Sequence, residues 1–283
     1  MKFQYLGTAA AEGIPAIFCE CDTCKKARAS AKKNIRTRSQ AIIDGKLLID
    51  FPADTYYHSL LYGIDLAKVK HCLITHTHSD HLYPKDLCMR RPGFSSLGAT
   101  EEECFNMYGS SGAMLEVNSV LSKYDLDEKR GYISLNPLEA YCENRVGDYI
   151  VIPLEAIHDV RACPYIYIIK DNAGKTVLYA HDTNYFSDKV WEYLEKCDLR
   201  FDFVSMDCTN GAVPENGYIG HMNLNDNAAI RERFISMGIA DEKTIFCSNH
   251  FSHNGVSVLY EEYSVLAKEK GIITSFDGME LEF

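Results

Sequence analysis

The run Thr75-His76-Thr77-His78-Ser79-Asp80-His81 places three imidazoles and one carboxylate within six consecutive residues, His76 to His81. Along extended backbone, side chains two apart project to the same side, so His76 and His78 can reach one metal ion together. Asp80 and His81 follow after the chain has turned and can face a second, neighbouring ion. Imidazole and carboxylate are the donors that suit Zn²⁺, Mn²⁺ or iron. A second cluster lies near the N-terminus. Cys19-Glu20-Cys21-Asp22-Thr23-Cys24 sets three thiols within six residues. That is metal-ligand spacing, and a fourth donor would close a tetrahedral structural zinc site. A redox thiol pair is the alternative, but no thioredoxin-like pattern surrounds these cysteines.

Such donors need rigid supports. The apolar segment Cys72-Leu73-Ile74 leads straight into the histidine run and reads as a buried strand ending at a loop. The pattern predicts further strands at 2–5, 40–43, 46–50, 149–153, 165–170, 176–180, 203–207 and 244–247. Helical spacing is expected over 54–61, 84–89, 188–196, 225–237 and 256–269. Asp50 and Asp207 end two of these strands and are candidates for fixing histidine tautomers from behind. The stretch 88–132, with Gly93-Phe94-Ser95-Ser96 and Gly109-Ser110-Ser111-Gly112, reads as inserted material near the site, in the role of a substrate lid. Otherwise one domain over 1–283 is the simplest organisation.

Composition narrows the function classes. Hydrophobic residues make up 46% of 283, which is a globular chain with room for a substantial core. No segment approaches a transmembrane length, so no membrane partner is expected. The opening Met1-Lys2-Phe3-Gln4-Tyr5-Leu6-Gly7 lacks an apolar signal-peptide core, and eleven scattered cysteines is an odd count. Both point to a reducing cytoplasm rather than a disulfide framework. The formal charge of −11 argues against nucleic acid as a partner. An anionic small molecule stays admissible, because bound metals supply local positive charge. Homodimerisation is left open by the sequence.

The histidine run resembles the HxHxDH signature of the metallo-β-lactamase superfamily. That family's fold is α/β, a four-layer αββα sandwich with a dinuclear metal site at the sheet edge. The resemblance implies a third His, a bridging Asp and a last His, in that chain order. His158, Asp182 and His250 stand in the matching places, each where an expected strand meets a loop. It thus implies His76, His78 and His158 on one Zn²⁺ or Mn²⁺, Asp80, His81 and His250 on the other, and Asp182 between them. Two such ions share a water and lower its pKa, so that a metal-bridged hydroxide nucleophile exists near neutral pH.

Three stretches narrow the resemblance to the PhnP-type cyclic-phosphate phosphodiesterases. They are Gly7-Thr8-Ala9-Ala10-Ala11-Glu12-Gly13-Ile14-Pro15 with the cysteine cluster, Asp207-Cys208-Thr209 with Gly220-His221-Met222-Asn223, and Ser275-Phe276-Asp277-Gly278-Met279-Glu280. This likeness implies a structural Zn²⁺ on Cys19, Cys21, Cys24 and His253, and a non-ligand histidine, His221, over the site. It implies hydrolysis of a small, cyclic phosphodiester, with His221 protonating the leaving alkoxide and Asp80 within the catalytic set. Lactonase, thioesterase and RNA-processing activities of the same fold are the alternatives, as is an oxidoreductase. Di-iron relatives carry Glu where this chain has His78, which favours hydrolysis.

Overall fold

Ala41, Ile42 and Ile43 are consecutive and all buried, yet they serve two different cores. Alternation along a strand sends neighbouring side chains to opposite faces, so a strand buried throughout must lie in a sheet covered on both sides. The same division holds for Leu47 and Ile49 against Leu48, and for Val177 and Tyr179 against Leu178. The computed structural model describes residues 1–96, 104–124, 126, 132–214 and 217–283.

The strands in chain order are β1 (Lys2–Gly7), β2 (Gln40–Ile43), β3 (Leu47–Ile49), β4 (His71–Leu73), β5 (Phe105–Gly109), β6 (Ile133–Pro137) and β7 (Asn144–Val146). There follow β8 (Tyr149–Glu155), β9 (Tyr165–Lys170), β10 (Thr176–Ala180), β11 (Phe203–Asp207), β12 (Ile245–Asn249), β13 (Ile273–Thr274) and β14 (Glu280–Glu282). The helices are α1 (Asp22–Ser30), α2 (Thr55–Tyr62), α3 (Ser111–Lys123), α4 (Asp188–Lys196), α5 (Leu224–Ser236) and α6 (Tyr260–Glu269). One sheet has the order β14-β1-β2-β3-β4-β5-β6 and the other β13-β12-β11-β10-β9-β8-β7.

The sheets pack face to face through Phe3, Tyr5, Leu73, Tyr167, Tyr179 and Phe203. Met114, Val117 and Leu121 of α3 cover the outer face of the first sheet. Trp191 of α4, Phe234 of α5 and Tyr263 of α6 cover the second. The result is the expected αββα sandwich.

Several expectations are corrected in detail. Residues 84–89 form a 3₁₀ helix opened by Pro84. Helix α6 begins at Tyr260 rather than 256, because Val256 is bridged to Gly211 and accepts a hydrogen bond from Ala212. Of the stretch 88–132, the described part is largely sheet and helix. Strand β5 pairs parallel with β4, and α3 follows it, capped by Ser110. Phe105, Met107 and Val117 belong to the core. No described residue of this stretch lines the cleft in front of the histidines. Residues 97–103, 125 and 127–131 lie outside the described residues.

A partly buried polar file links the segment before β14 to β2 and α2. Asp277 accepts hydrogen bonds from Thr8 Oγ1 (2.5 Å), Thr37 N (2.6 Å) and Thr37 Oγ1 (2.6 Å). Thr37 Oγ1 also lies 2.7 Å from His58 Nε2, and His58 Nδ1 lies 2.6 Å from Gln40 Oε1. Gln40 Nε2 donates to the Asp50 carbonyl and to Thr55 Oγ1.

Candidate metal centre

The parallel strands β10, β11 and β12 end side by side, and β4 and β8 deliver their loops to the same edge. Residues just past the strand ends must turn sharply there. Asp50, Asp182 and His250 all adopt left-handed backbone, with φ of 67°, 52° and 63°. Such conformations cost free energy outside glycine and persist where surrounding contacts over-determine them.

The donor atoms converge in the grouping that the resemblance implies. His76, His78 and His158 bring ring nitrogens within 4.8 Å of one another, and so do the donor atoms of Asp80, His81 and His250. Asp182 stands between the two triads. Its Oδ1 is 3.5 Å from His158 Nε2, while Oδ2 is 2.8 Å from His81 Nε2 and 2.9 Å from His250 Nε2.

Each buried ring is fixed from behind. His81 Nδ1 donates to Asp50 Oδ2 (2.6 Å), and Thr75 holds Oδ1 of the same carboxylate through its backbone N–H and hydroxyl. His250 Nδ1 lies 2.9 Å from Thr209 Oγ1, and His158 Nδ1 lies 3.2 Å from the Gly220 carbonyl. A Cβ at Gly220 would sit 3.1 Å from that ring nitrogen, on a backbone with φ of +88°. Asp207 binds Asp182 N (3.0 Å), His221 Nδ1 (2.9 Å), Thr209 N (3.0 Å) and Met222 N (3.0 Å). The sequence had singled out Asp50 and Asp207 for this task. Thr209 and the Gly220 carbonyl were missed, although both fall inside motifs that sequence reading had marked.

With Nδ1 engaged outward, the inward Nε2 atoms of His81 and His250 face each other at 3.1 Å. His158 Nε2 and His78 Nδ1 do the same at 3.1 Å. His76 Nε2 is buried without a hydrogen-bond partner among the described residues. Opposed lone pairs and an orphaned buried nitrogen are costly in a protein interior, and a cation between them removes the cost. Charge tells the same story. Burial opposes charge on His250, but Asp182 and Asp207 outweigh it and push its pKa up to about 10. Burial likewise opposes charge on His81, and Asp182, Asp50 and Asp80 overcome it. Despite burial, His250 and His81 hold Asp182 well below the carboxylate range. These residues therefore fit divalent metal ions.

The second cluster forms where the N-terminal loop meets the loop after β12. Cys19, Cys21, Cys24 and His253 bring their donors within 4.8 Å. His253 Nδ1 is 3.5 Å from both Cys19 Sγ and Cys21 Sγ. That contact with His253 is the main cause of a Cys21 pKa lowered to about 6. Ala10 N donates to Phe251 O and Phe251 N to Thr8 O, lacing the two loops together.

His221 lies beside the first cluster without belonging to either triad. Its ring packs against His158 at 4.8 Å and His250 at 5.9 Å between centroids. Burial works against charge on His221, but Asp207 outweighs it and raises its pKa. The other histidines stand elsewhere. His58 belongs to the polar file, His71 contacts Tyr108, and His181 is buried against Ser205 and Asn249.

Fold and donor set together define a metal-dependent hydrolase architecture. The profile of the family described as "Beta-lactamase superfamily domain" matches residues 51–235, and the chain belongs to the metallo-β-lactamase superfamily. A sequence search of curated proteins finds no match. The structure superposes on Zn(2+)-bound PqqB from Methylobacterium extorquens with a TM-score of 0.76, 17% identity and 100% of each chain covered. It superposes on a diphosphatase from the PhnP family with a TM-score of 0.73 and 21% identity, covering 100% of this chain and 97% of that one. For YhfI from Bacillus subtilis the values are 0.69 and 18%, with 99% of each chain covered. These likenesses show the fold. Among the described residues no helix is long and apolar enough to cross a membrane.

Proposed function

We propose that the protein hydrolyses small, cyclic phosphodiesters at the His/Asp centre, with Zn²⁺ or Mn²⁺ held there and a structural Zn²⁺ held by the cysteine cluster. The observation that carries this reading is His221, a proton carrier set against both metal-binding triads in one cleft. Bound divalent ions supply Lewis acidity at phosphoryl oxygens and a nucleophile drawn from water near neutral pH.

The chain's own residues do the rest. His76, His78 and His158 on one side, and Asp80, His81 and His250 on the other, orient the ester from fixed rings. Asp182 keeps the two halves in register. His221 Nδ1 is committed to Asp207, which leaves Nε2 as the atom that can hand a proton to the departing alkoxide. The cleft holds about 310 Å³, room for a small organic phosphodiester. Eleven cysteines without a disulfide accord with work in a reducing cytoplasm.

The test is turnover of a 2′,3′-cyclic nucleotide by purified protein supplied with Mn²⁺ or Zn²⁺. Turnover abolished by a chelator and restored by metal is the expected result. Absence of turnover by fully loaded protein, with lactone or thioester hydrolysis in its place, overturns the phosphodiester reading.

A further inference from the structure

Among the described residues, the cleft in front of the histidines contains one acidic side chain outside the donor set. Glu12 lies on the N-terminal loop and lines the wall with Tyr218, Ile219, Ser252 and Asn254. Its Oε1 accepts hydrogen bonds from Ser252 Oγ (3.3 Å) and Asn254 Nδ2 (3.2 Å), and His253 Nε2 stands 3.8 Å away. No partner of Oε2 is found among the described residues, and the side chain keeps 37% of its exposure. One carboxylate oxygen is thus anchored to the loop that carries His250, and the other is left for a ligand.

The rest of the wall, as far as the described residues line it, supplies no opposing charge. Among the described residues lining the cleft there is no lysine or arginine. Two arginines approach the same loops, and both are engaged. Arg38 donates to the Ala11 carbonyl and pairs with Asp54, and Arg161 pairs with Asp159. The phosphodiester carries one negative charge, which metals at the centre would meet. A second anionic group on the organic arm would meet Glu12 in a confined, poorly screened cleft. A hydroxyl or ammonium there would instead donate to Oε2, as a charge-assisted hydrogen bond.

We propose that Glu12 determines specificity, selecting phosphodiesters whose organic arm ends in a hydroxyl or ammonium and rejecting those with a second phosphate or carboxylate. This rests on the phosphodiesterase reading of the centre. Specificity here comes as much from the repelled arm as from the bonded one.

The experiment uses metal-loaded protein and p-nitrophenyl phosphodiesters whose second arm is 2-hydroxyethyl, 2-aminoethyl or 2-phosphoethyl. The first two should exceed the third at least tenfold in kcat/KM. Glu12→Gln should shrink that ratio at least fivefold, and Glu12→Arg should invert it. Calorimetry adds a readout without turnover. Phosphoethanolamine should bind at least tenfold tighter than phosphoglycolate, and Glu12→Gln should erase the difference. Ratios equal in wild type and Glu12→Gln, with turnover intact, overturn the Glu12 assignment alone. The same equality together with loss of zinc from Glu12→Gln overturns it too, and gives Glu12 the task of orienting His253. Failure of all three diesters and of the 2′,3′-cyclic nucleotide to turn over overturns the phosphodiesterase reading, and this inference with it; where the cyclic nucleotide alone turns over, the calorimetric comparison decides for or against Glu12.

Discussion

His250 and His253 stand three residues apart on one loop and serve two clusters of different construction. The His250 ring is buried, its Nδ1 meets Thr209, and its Nε2 faces His81 and Asp182. His253 turns Nδ1 to two thiols near the surface. In the buried cluster almost every inward nitrogen has a partner behind its ring, so its geometry belongs to the whole sandwich. In the thiol cluster, geometry is set by chain spacing at the start of α1, and only one donor arrives from afar. The difference teaches that buried donors must be made rigid by a second layer of polar groups, whereas a short-range thiol cluster needs only its loop.

Four substitutions break or sharpen this contrast. Asp182→Ala should have the largest effect, removing both ions of the buried centre and leaving the zinc of the cysteine cluster. Loss of Lewis acidity worth several kcal/mol corresponds to about 10³-fold or more in rate. Elemental analysis and turnover read both, and loss of the cysteine-bound zinc would show the two clusters to be one unit. His221→Ala should slow alkyl esters by roughly 10²–10⁴-fold and p-nitrophenyl esters far less, because only the former need a proton on the leaving oxygen. Equal slowing of both in steady-state assays removes His221 from proton transfer.

Asp50→Asn keeps the shape behind His81 and removes the charge. It should weaken metal affinity about 10–100-fold, read by competition with a chelator. An unchanged affinity would mean that the backing layer is dispensable. Cys24→Ser should act on stability more than on chemistry. It should lose one zinc and lower the thermal midpoint by roughly 5–10 °C, at about 2–4 °C per kcal/mol for a chain of this size. The buried centre should keep its two ions, as elemental analysis will show.

Much of this was legible in the sequence, for a physical reason in each case. His76, His78, Asp80 and His81 announce themselves because strand and turn geometry bring near neighbours to one point. The cysteines do so for the same reason. Asp182 and His250 lie too far along the chain for any spacing rule, and came from resemblance to a family. Thr209 and Glu12 were invisible as functional residues, because their roles arise only when the ends of β11 and β12 meet the N-terminal loop. Strand β5 and helix α3 fall within the stretch that the sequence marks as inserted material, and neither stands out there. Glycines and serines flank both, and the strand is short, with Asn106 and Tyr108 alternating with its buried residues. Only its pairing with β4 and the packing of Met107 in the sheet's outer core reveal it as part of the sheet.

The polar file from Asp277 to Gln40 carries a consequence in hydrogen count. Gln40 donates at its amide nitrogen, so its oxygen accepts, and His58 Nδ1 must bear a hydrogen. The single hydrogen of the Thr37 hydroxyl is then claimed by both Asp277 and His58 Nε2. One further proton would satisfy both contacts at once. Burial pushes His58 down to about 4 and, against Thr37, Thr8 and Arg36, pushes Asp277 up to about 6. The carboxyl therefore holds the proton in mildly acid solution. Because Asp277 rises above its ordinary 3.8, this carboxyl holds a proton between about pH 4 and 6 that it lacks in the unfolded chain, while His58, lowered from 6.5 to about 4, gives one up over much the same range. The Asp277 contribution to stability is complete below this window and is lost as pH rises through it, and the His58 contribution runs the opposite way. A ¹³C carboxyl resonance of Asp277 titrating near pH 6 is the expected signature, and one titrating in the ordinary carboxylate range would place the extra proton on His58. Folding of this molecule thus also moves a proton's preferred seat from an imidazole to a carboxyl, at a place some distance along the chain from any metal donor.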